Sequence, residues 1–227
     1  MHFSKRTKTV ITFILLLSLA LLMFFIIQKE AEPPPMTVQE KKARFKSLLV
    51  PAVDTVYANL MQQYQDIKNI SDAESSNEVI EKLKVEYKVT TTSELLMALK
   101  PHPKSIAIAQ AAMESSWATS RFFKEANNVF GVWSFDEDEP RIAALKKRGD
   151  KTIWLKKYDS VEDAVYDYYR TLARSDAFAE FRLTKMITSD PFVLVTKLDR
   201  YSEKGHVYGE ELTSIIKFNK FTDYDNE

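Results

Sequence analysis

The chain has 227 residues, and its 32 basic and 32 acidic side chains cancel, so no basic excess indicates a nucleic-acid partner. An apolar fraction of 45% with only 4 Gly and 8 Pro excludes collagen-like, low-complexity and disordered proteins. The chain has no Cys, which excludes disulfides, thiolate metal sites and a Cys nucleophile. Its three His are far apart in sequence, and we therefore expect no metal and no other cofactor.

The N-terminus has the pattern of a membrane anchor. Lys5, Arg6 and Lys8 precede an uncharged apolar run over residues 10–27. As a helix this run is about 27 Å long, close to the thickness of the hydrocarbon layer. The basic flank favours the cytoplasmic side, which places the rest of the chain across the membrane. A cleaved signal peptide is the alternative, although no small-x-small cleavage site follows the run.

Composition divides the chain into three parts. Residues 1–27 are predicted to be the cytoplasmic N-terminus and anchor. Residues 28–40 contain Pro33, Pro34 and Pro35 and are predicted to be an extended linker. Residues 41–227 are numerous enough for one domain with its own core, in which a helical extension over 41–100 precedes a catalytic region over 101–227.

Helical patterns dominate this domain. Thr37 and Glu40 form a capping box for a long helix that reaches Ile67, and Pro51 is predicted to kink or break it near Leu49. Further predicted elements are helices over 77–89 and 93–100, a strand over 152–155, and helices that begin after Ser160 and Asp190.

A predicted buried helix carries the most informative polar residues. Residues 106–113 are apolar or small on nearly every side, as in a helix surrounded by other elements. Gln110 and Glu114 are four residues apart and share one face. A partly desolvated carboxyl group at the end of such a helix has a raised pKa, as a general acid requires. Spacing alone leaves open a solvated carboxylate at a frayed helix end.

Five sequence segments together resemble a known enzyme family. The segments are Gln110–Trp117, Ser120–Phe122, Ala126–Trp133, Tyr158–Tyr168, and Tyr201–Gly205 with Tyr208. In this order they resemble the Bax-type glucosaminidases, which are related to family 73 of the glycoside hydrolases. The resemblance covers residues 41–220.

The resemblance implies a lysozyme-like fold, α+β but mostly helical, with a small β-hairpin lobe. It also implies cleavage of the β-1,4 bond after N-acetylglucosamine in the glycan strands of peptidoglycan, without a cofactor. Glu114 would be the general acid and Tyr201 an active-site tyrosine that orients the N-acetyl group. Further expected substrate-binding residues are Gln110, Asn128, Trp133 and Tyr158. We expect Trp117, Phe130 and Tyr208 to serve packing.

A second catalytic carboxylate is less clearly indicated. Asp136, Glu137, Asp138 and Glu139 follow the motif and are the candidates for activating water. A run of four acids is also typical of a solvated hairpin tip. Alternatively the acetamido group of the substrate assists, and no second carboxylate is needed.

Together these features predict a peptidoglycan hydrolase held by a single span in a bacterial inner membrane, with its catalytic domain in the periplasm. No protein partner is indicated. Two alternatives remain: a non-catalytic module that binds glycan or anchors to the wall, and a lytic transglycosylase of the same fold that uses Glu114 as both acid and base.

Overall fold

The computed structural model describes residues 14, 16–18, 35–72, 78–145 and 147–226. They belong to two units, Met1–Thr37 and Val38–Glu227. In the first unit, residues 14 and 16–18 are helical. The predicted membrane segment over residues 10–27 otherwise lies outside the described residues. Among the residues that are described, no helix combines the length and apolar character needed to cross a membrane.

The second unit is mostly helical. Its elements are α1 (Val38–Asp72), α2 (Glu78–Tyr87), α3 (Thr92–Leu99), α4 (Lys104–Glu114), α5 (Arg121–Ala126), β1 (Arg141–Ala143), β2 (Trp154–Lys156), α6 (Val161–Arg174), α7 (Ala179–Ile187), α8 (Pro191–Leu194) and α9 (His206–Asn219). Short 3-10 turns lie at Asp176–Phe178, Val195–Lys197 and Phe221–Asn226. This confirms the predicted class, α+β with mostly helix and a small hairpin.

Helix α4 lies in the centre of the main core. Residues Lys104 to Ala112 are all buried, as its nearly all-apolar surface predicts. Helices α1 and α9 and the last 3-10 turn pack against it. The prediction of a buried helix that leads to Glu114 is therefore confirmed.

Helix α1 is continuous through Pro51, so a break near Leu49 is wrong, while the kink that was the other expectation stays a prediction. Proline in a helix interior removes one hydrogen bond and costs about 3 kcal/mol. Phe45, Leu49 and Val53 lie on both sides of it and are at most 1% exposed. Burying three such side chains contributes roughly 1.5–3 kcal/mol each, which outweighs the lost bond.

The β lobe is a two-stranded antiparallel hairpin. Arg141 pairs with Lys156, and Ala143 pairs with Trp154. An additional bridge joins Trp133 to Leu155, which attaches the loop after α5 to the hairpin. The strand predicted over 152–155 is present but begins two residues later.

Candidate active site

Glu114 is the last residue of α4, and the chain turns sharply behind it. Ser116, Trp117 and Ala118 have φ values of 52°, 61° and 58°, three consecutive non-glycine residues in the left-handed region. Such backbone costs of order 1 kcal/mol or more per residue and occurs often at active sites. The turn ends α4 abruptly, so the Glu114 side chain leaves from a fixed helix end.

Ser115 and Trp117 hold this strained turn in place. The Ser115 hydroxyl donates to Ala111 O at 2.6 Å and accepts from Ala118 N at 2.8 Å. The Trp117 N–H donates to Ala112 O at 2.9 Å. The Trp117 ring packs edge-on against Phe45 with 5.2 Å between ring centroids, which confirms its predicted packing role.

A chain of three hydrogen bonds ends on Glu114. The Tyr168 hydroxyl donates to Gln110 Oε1 at 2.5 Å, and Gln110 Nε2 donates to the Tyr208 hydroxyl at 2.9 Å. Tyr208 in turn donates to Glu114 Oε1 at 2.9 Å. All three donors are buried, and each is oriented by the acceptor that it faces. This series of hydrogen bonds fixes Oε1 of Glu114 as a hydrogen-bond acceptor.

The environment of Glu114 favours its protonated form. Burial raises the pKa of this carboxyl above its usual value, and the hydrogen bond from Tyr208 and the charge of Lys204 partly counteract the rise. The residue nevertheless stays accessible to solvent. Glu114 is therefore a carboxyl group that keeps its proton longer than a solvated one and that an external molecule can reach.

Glu211 is a second carboxylate in electrostatic range of Glu114, and the sequence did not indicate it. Its negative charge raises the pKa of Glu114 further. Lys204 Nζ lies 2.7 Å from Glu211 Oε2, so the two charges act on Glu114 as a pair. The available signal was the three-residue spacing from Tyr208 to Glu211 on α9, which puts both on one side of the helix but does not show that this side faces Glu114.

Tyr201 and Gly131 lie beside the carboxyl group. Burial and the charge of Glu114 raise the pKa of Tyr201 well above its usual value. The Tyr201 ring stacks on Tyr208 at 5.4 Å, and its hydroxyl approaches Phe130 O at 3.4 Å. A Cβ atom built on Gly131 would lie 4.0 Å from Oε2 of Glu114. The structure thus brings Tyr201 together with Glu114, and the loop at Gly131 passes over the other oxygen.

Two residues predicted to bind substrate are buried instead. Gln110 is 0% exposed, and both ends of its amide bind tyrosine hydroxyls. Asn128 is 1% exposed; its Nδ2 donates to Val132 O and Lys156 O, and its Oδ1 accepts from Val132 N. These placements differ from the expected direct sugar contacts, because buried amides are most stable when fully bonded to the protein.

Two other predicted substrate-binding residues remain accessible. Trp133 is 42% exposed beside the hairpin. Tyr158 is half-buried and donates from its hydroxyl to Asp167 Oδ2 at 2.7 Å. Phe130 is buried and stacks on Tyr168 at 4.0 Å, which confirms its predicted packing role. Of the four predicted substrate-binding residues, Trp133 and Tyr158 therefore keep surface that a sugar ring could contact.

Tyr208 has a larger role than the predicted packing. Its ring is 1% exposed, as expected for a core residue. Its hydroxyl, however, is the group that contacts Glu114. No group of three or more potential metal ligands comes together in the part of the chain that is described.

Comparison with known proteins identifies the family. Residues 91–221 match the glucosaminidase family, described as mannosyl-glycoprotein endo-beta-N-acetylglucosaminidase. The chain belongs to the glucosaminidase family. The match includes Glu114, Tyr201 and Tyr208, and it leaves all of α1 and α2 outside.

Relatives of this glucosaminidase-family chain include Protein bax of Escherichia coli K12. The two are 26% identical over 171 residues, which cover 71% of this chain and 60% of that protein. The predicted resemblance to Bax-type glucosaminidases is thereby confirmed, although the match spans only about 60% of the length of that relative.

Two solved structures are also similar to this glucosaminidase-family chain. A peptidoglycan hydrolase from Sphingomonas sp. A1 has 21% identity and a TM-score of 0.45, covering 56% of this chain and 86% of its own. The glycoside hydrolase domain of Salmonella typhimurium FlgJ has 23% identity and a TM-score of 0.43, covering 66% and 91%.

Three of the four acidic candidates, Asp136, Glu137 and Glu139, have local partners for their carboxylates. Asp136 Oδ1 accepts from the backbone N–H of Asp138 at 3.0 Å, and Glu137 lies 3.6 Å from Arg141. Glu139 lies 3.4 Å from Lys156 Nζ. Within the described residues, none of the four forms a hydrogen bond or an ion pair with Glu114. Their role as a second catalytic carboxylate stays a prediction.

Replacing Gly131 by Ala is expected to lower both activity and stability of this glucosaminidase-family protein. Gly131 has φ +67°, where an L side chain is strained by roughly 1 kcal/mol. The added methyl group would also lie 4.0 Å from Oε2 of Glu114, on the side where we expect a substrate to approach. Thermal unfolding and glycan release measure the two effects. Gly149→Ala, with φ +61° and nothing within 4 Å, is the matched control and is expected to lose stability only.

Proposed function

We propose that this protein is an endo-β-N-acetylglucosaminidase that cleaves the β-1,4 bond after N-acetylglucosamine in peptidoglycan. Glu114 is its general acid and protonates the oxygen of the leaving sugar. The observation that carries the proposal is the Glu114 carboxyl group, which is accessible to solvent and has a raised pKa. Cleavage of a glycosidic bond through an oxocarbenium-like transition state needs one such acid beside the scissile oxygen.

The two oxygens of Glu114 have different surroundings, and this supports a different role for each oxygen in the reaction. Oε1 accepts the hydrogen bond from Tyr208, whereas Oε2 faces the loop at Gly131. The proton to be delivered is therefore on Oε2, which leaves Oε1 anchored throughout the reaction. Tyr201 stands next to this group, where its hydroxyl would orient the N-acetyl group of the sugar.

Two candidates exist for the group that attacks the anomeric carbon of the sugar on the side opposite Glu114. One is a water molecule activated by an acid from the segment 136–139. The other is the acetamido oxygen of the substrate itself, a known variant of glycoside cleavage. Glu137 and Glu139 pair with Arg141 and Lys156, whereas Asp136 and Asp138 have no ion pair among the described residues, so both candidates stand.

The decisive experiment is digestion of purified peptidoglycan followed by mass spectrometry of the new chain ends. The wild-type protein is expected to produce reducing N-acetylglucosamine ends. Anhydro ends would instead identify a lytic transglycosylase, and binding without release would identify a glycan-binding module. Reducing N-acetylmuramic acid ends would contradict the proposed bond specificity.

We also propose that residues 10–27 anchor the protein in the bacterial inner membrane with the catalytic domain in the periplasm. An anchor raises the effective concentration of the enzyme near a wall polymer within reach of a short linker. The full chain is expected in the membrane fraction, and a variant without residues 1–27 is expected to leave it. Alkaline phosphatase fused to the C-terminus should be active, since it requires the periplasm. An inactive fusion, or a full chain absent from the membrane fraction, would contradict the proposal.

A further inference from the structure

A charged cleft lies on the side of β2 and α6, apart from the Glu114 carboxyl group. Its volume is about 500 Å³. Four cations and two carboxylates line it: Lys88, Lys156, Arg170, Arg174, Asp167 and Asp176. The lining thus has an excess of two positive charges in a chain whose total charge is zero. A concave cationic surface of this kind concentrates anions.

The cations of the cleft are incompletely neutralised by the protein. Lys156 lies 3.2 Å from Asp167, and Arg170 lies 3.3 Å from Glu86. Lys88 and Arg174 form no ion pair with any residue that the structure describes. The Nε atom of Arg170 is buried and also has no hydrogen-bond partner there. This atom is closed to solvent, so a ligand in the cleft would meet the rest of the Arg170 side chain, which is 32% exposed.

One side chain connects the cleft with the predicted sugar-binding surface. Asp167 lines the cleft and accepts the hydrogen bond from the Tyr158 hydroxyl. This 2.7 Å hydrogen bond places the Tyr158 hydroxyl directly beside the cleft. A substituent that projects from a sugar bound at Tyr158 would therefore meet the cations of the cleft.

We propose that this cleft binds the carboxylates of the peptides attached to the glycan strand. The inference rests on the proposed function, because a peptidoglycan strand carries short acidic peptides at regular intervals along its sugars. Arg170 and Arg174 present planar groups that match a carboxylate with two parallel hydrogen bonds. Lys88 and Lys156 add point charges at the rim. The cleft would favour strands that carry peptides with free carboxylates.

The test compares two substrates that differ only in charge. One is native peptidoglycan, and the other is the same material after its carboxyl groups have been converted to methylamides. We expect the wild-type protein to cleave the native material with roughly five-fold higher kcat/KM, since each partly exposed charge pair contributes a fraction of 1 kcal/mol. The preference should decrease as ionic strength rises.

The variant Lys88→Gln with Arg174→Gln removes the two cations that have no ion pair in the described structure. We expect its rate on native material to fall to its rate on the amidated material. Arg44→Gln with Lys46→Gln makes the same charge change at two exposed positions of α1 and is expected to keep the wild-type preference. Equal wild-type rates on both substrates, or a preference that persists in the Lys88/Arg174 variant, would overturn the inference. Release from neither substrate would instead refute the proposed function, and this inference with it.

Discussion

Replacing Glu114 by Gln is expected to reduce glycan release by roughly 10²–10⁴-fold, the usual contribution of a general acid. Glutamine has nearly the same shape and can still accept the hydrogen bond from Tyr208 at its amide oxygen. It has no proton to deliver to the leaving oxygen. The measurement is the rate of new reducing ends from purified peptidoglycan at saturating and at low substrate concentration.

The stability of the same variant separates chemistry from folding. The pKa of Glu114 is raised in the folded protein above its usual value of 4.5. Between these two pKa values the folded protein binds more protons than the unfolded chain, so stability falls as pH rises through this window. As pH rises through this window, ionisation of the desolvated carboxyl group becomes a cost that Gln avoids. We expect Glu114→Gln to melt at the same or a higher temperature than the wild type at pH 7. An inactive variant with a lower melting temperature, or an active variant, would contradict this account.

Replacing Tyr208 by Phe is expected to change the pH dependence of the reaction as well as its rate. The hydrogen bond from Tyr208 lowers the pKa of Glu114, so its loss raises that pKa. A general acid works in its protonated form, and the alkaline limb of kcat/KM should therefore move to higher pH. The rate on the plateau should fall by about tenfold, because the hydrogen bond that stabilises the negative charge developing on Glu114 as it delivers its proton is lost.

Tyr208→Phe also leaves Gln110 Nε2 without its acceptor, which should lower the free energy of unfolding by about 1–3 kcal/mol. Tyr169→Phe is the matched control. Tyr169 is likewise buried, but its hydroxyl makes only a 3.4 Å contact with His102 O. We expect this variant to keep the wild-type pH profile. An alkaline limb that stays in place in Tyr208→Phe would show that Tyr208 does not act on the general acid.

The environment of Glu114 was predictable because one short segment determines most of it. The nearly all-apolar pattern of α4 predicts burial, and the four-residue spacing from Gln110 to Glu114 predicts a common face. Both features are present in the structure. The link between these two side chains is Tyr208, 94 residues from Glu114 in sequence. Spacing along α9 indicates which face Tyr208 occupies but not which side chain its hydroxyl reaches.

The left-handed turn after Glu114 could not be predicted from local preference. Ser116, Trp117 and Ala118 are not residues that favour positive φ. Their conformation is imposed by tertiary contacts, among them the packing of Trp117 on Phe45. Pro51 is a similar case, since core packing on both sides keeps α1 continuous. In both places long-range burial overrides the local propensity.

Sugar contacts were the least predictable part of the site. Polar side chains near the motif were reasonable candidates, but Gln110 and Asn128 direct their amides into the protein. Only the exposure of each side chain separates these residues from Trp133 and Tyr158. A sequence pattern does not reveal the exposure of a side chain, because the amide of a buried residue and the amide of a residue in a groove have the same chemistry.

A site-specific titration of Glu114 tests the central claim most directly. Carbon-13 labelling of the glutamate carboxyl groups, with Glu114→Gln used to assign the resonance, gives the pKa of this group in the free enzyme. We predict a value above 4.5 that coincides with the alkaline limb of kcat/KM. A Glu114 resonance that titrates at or below 4.5, or an alkaline limb that follows another group, would contradict the assignment of Glu114 as the general acid.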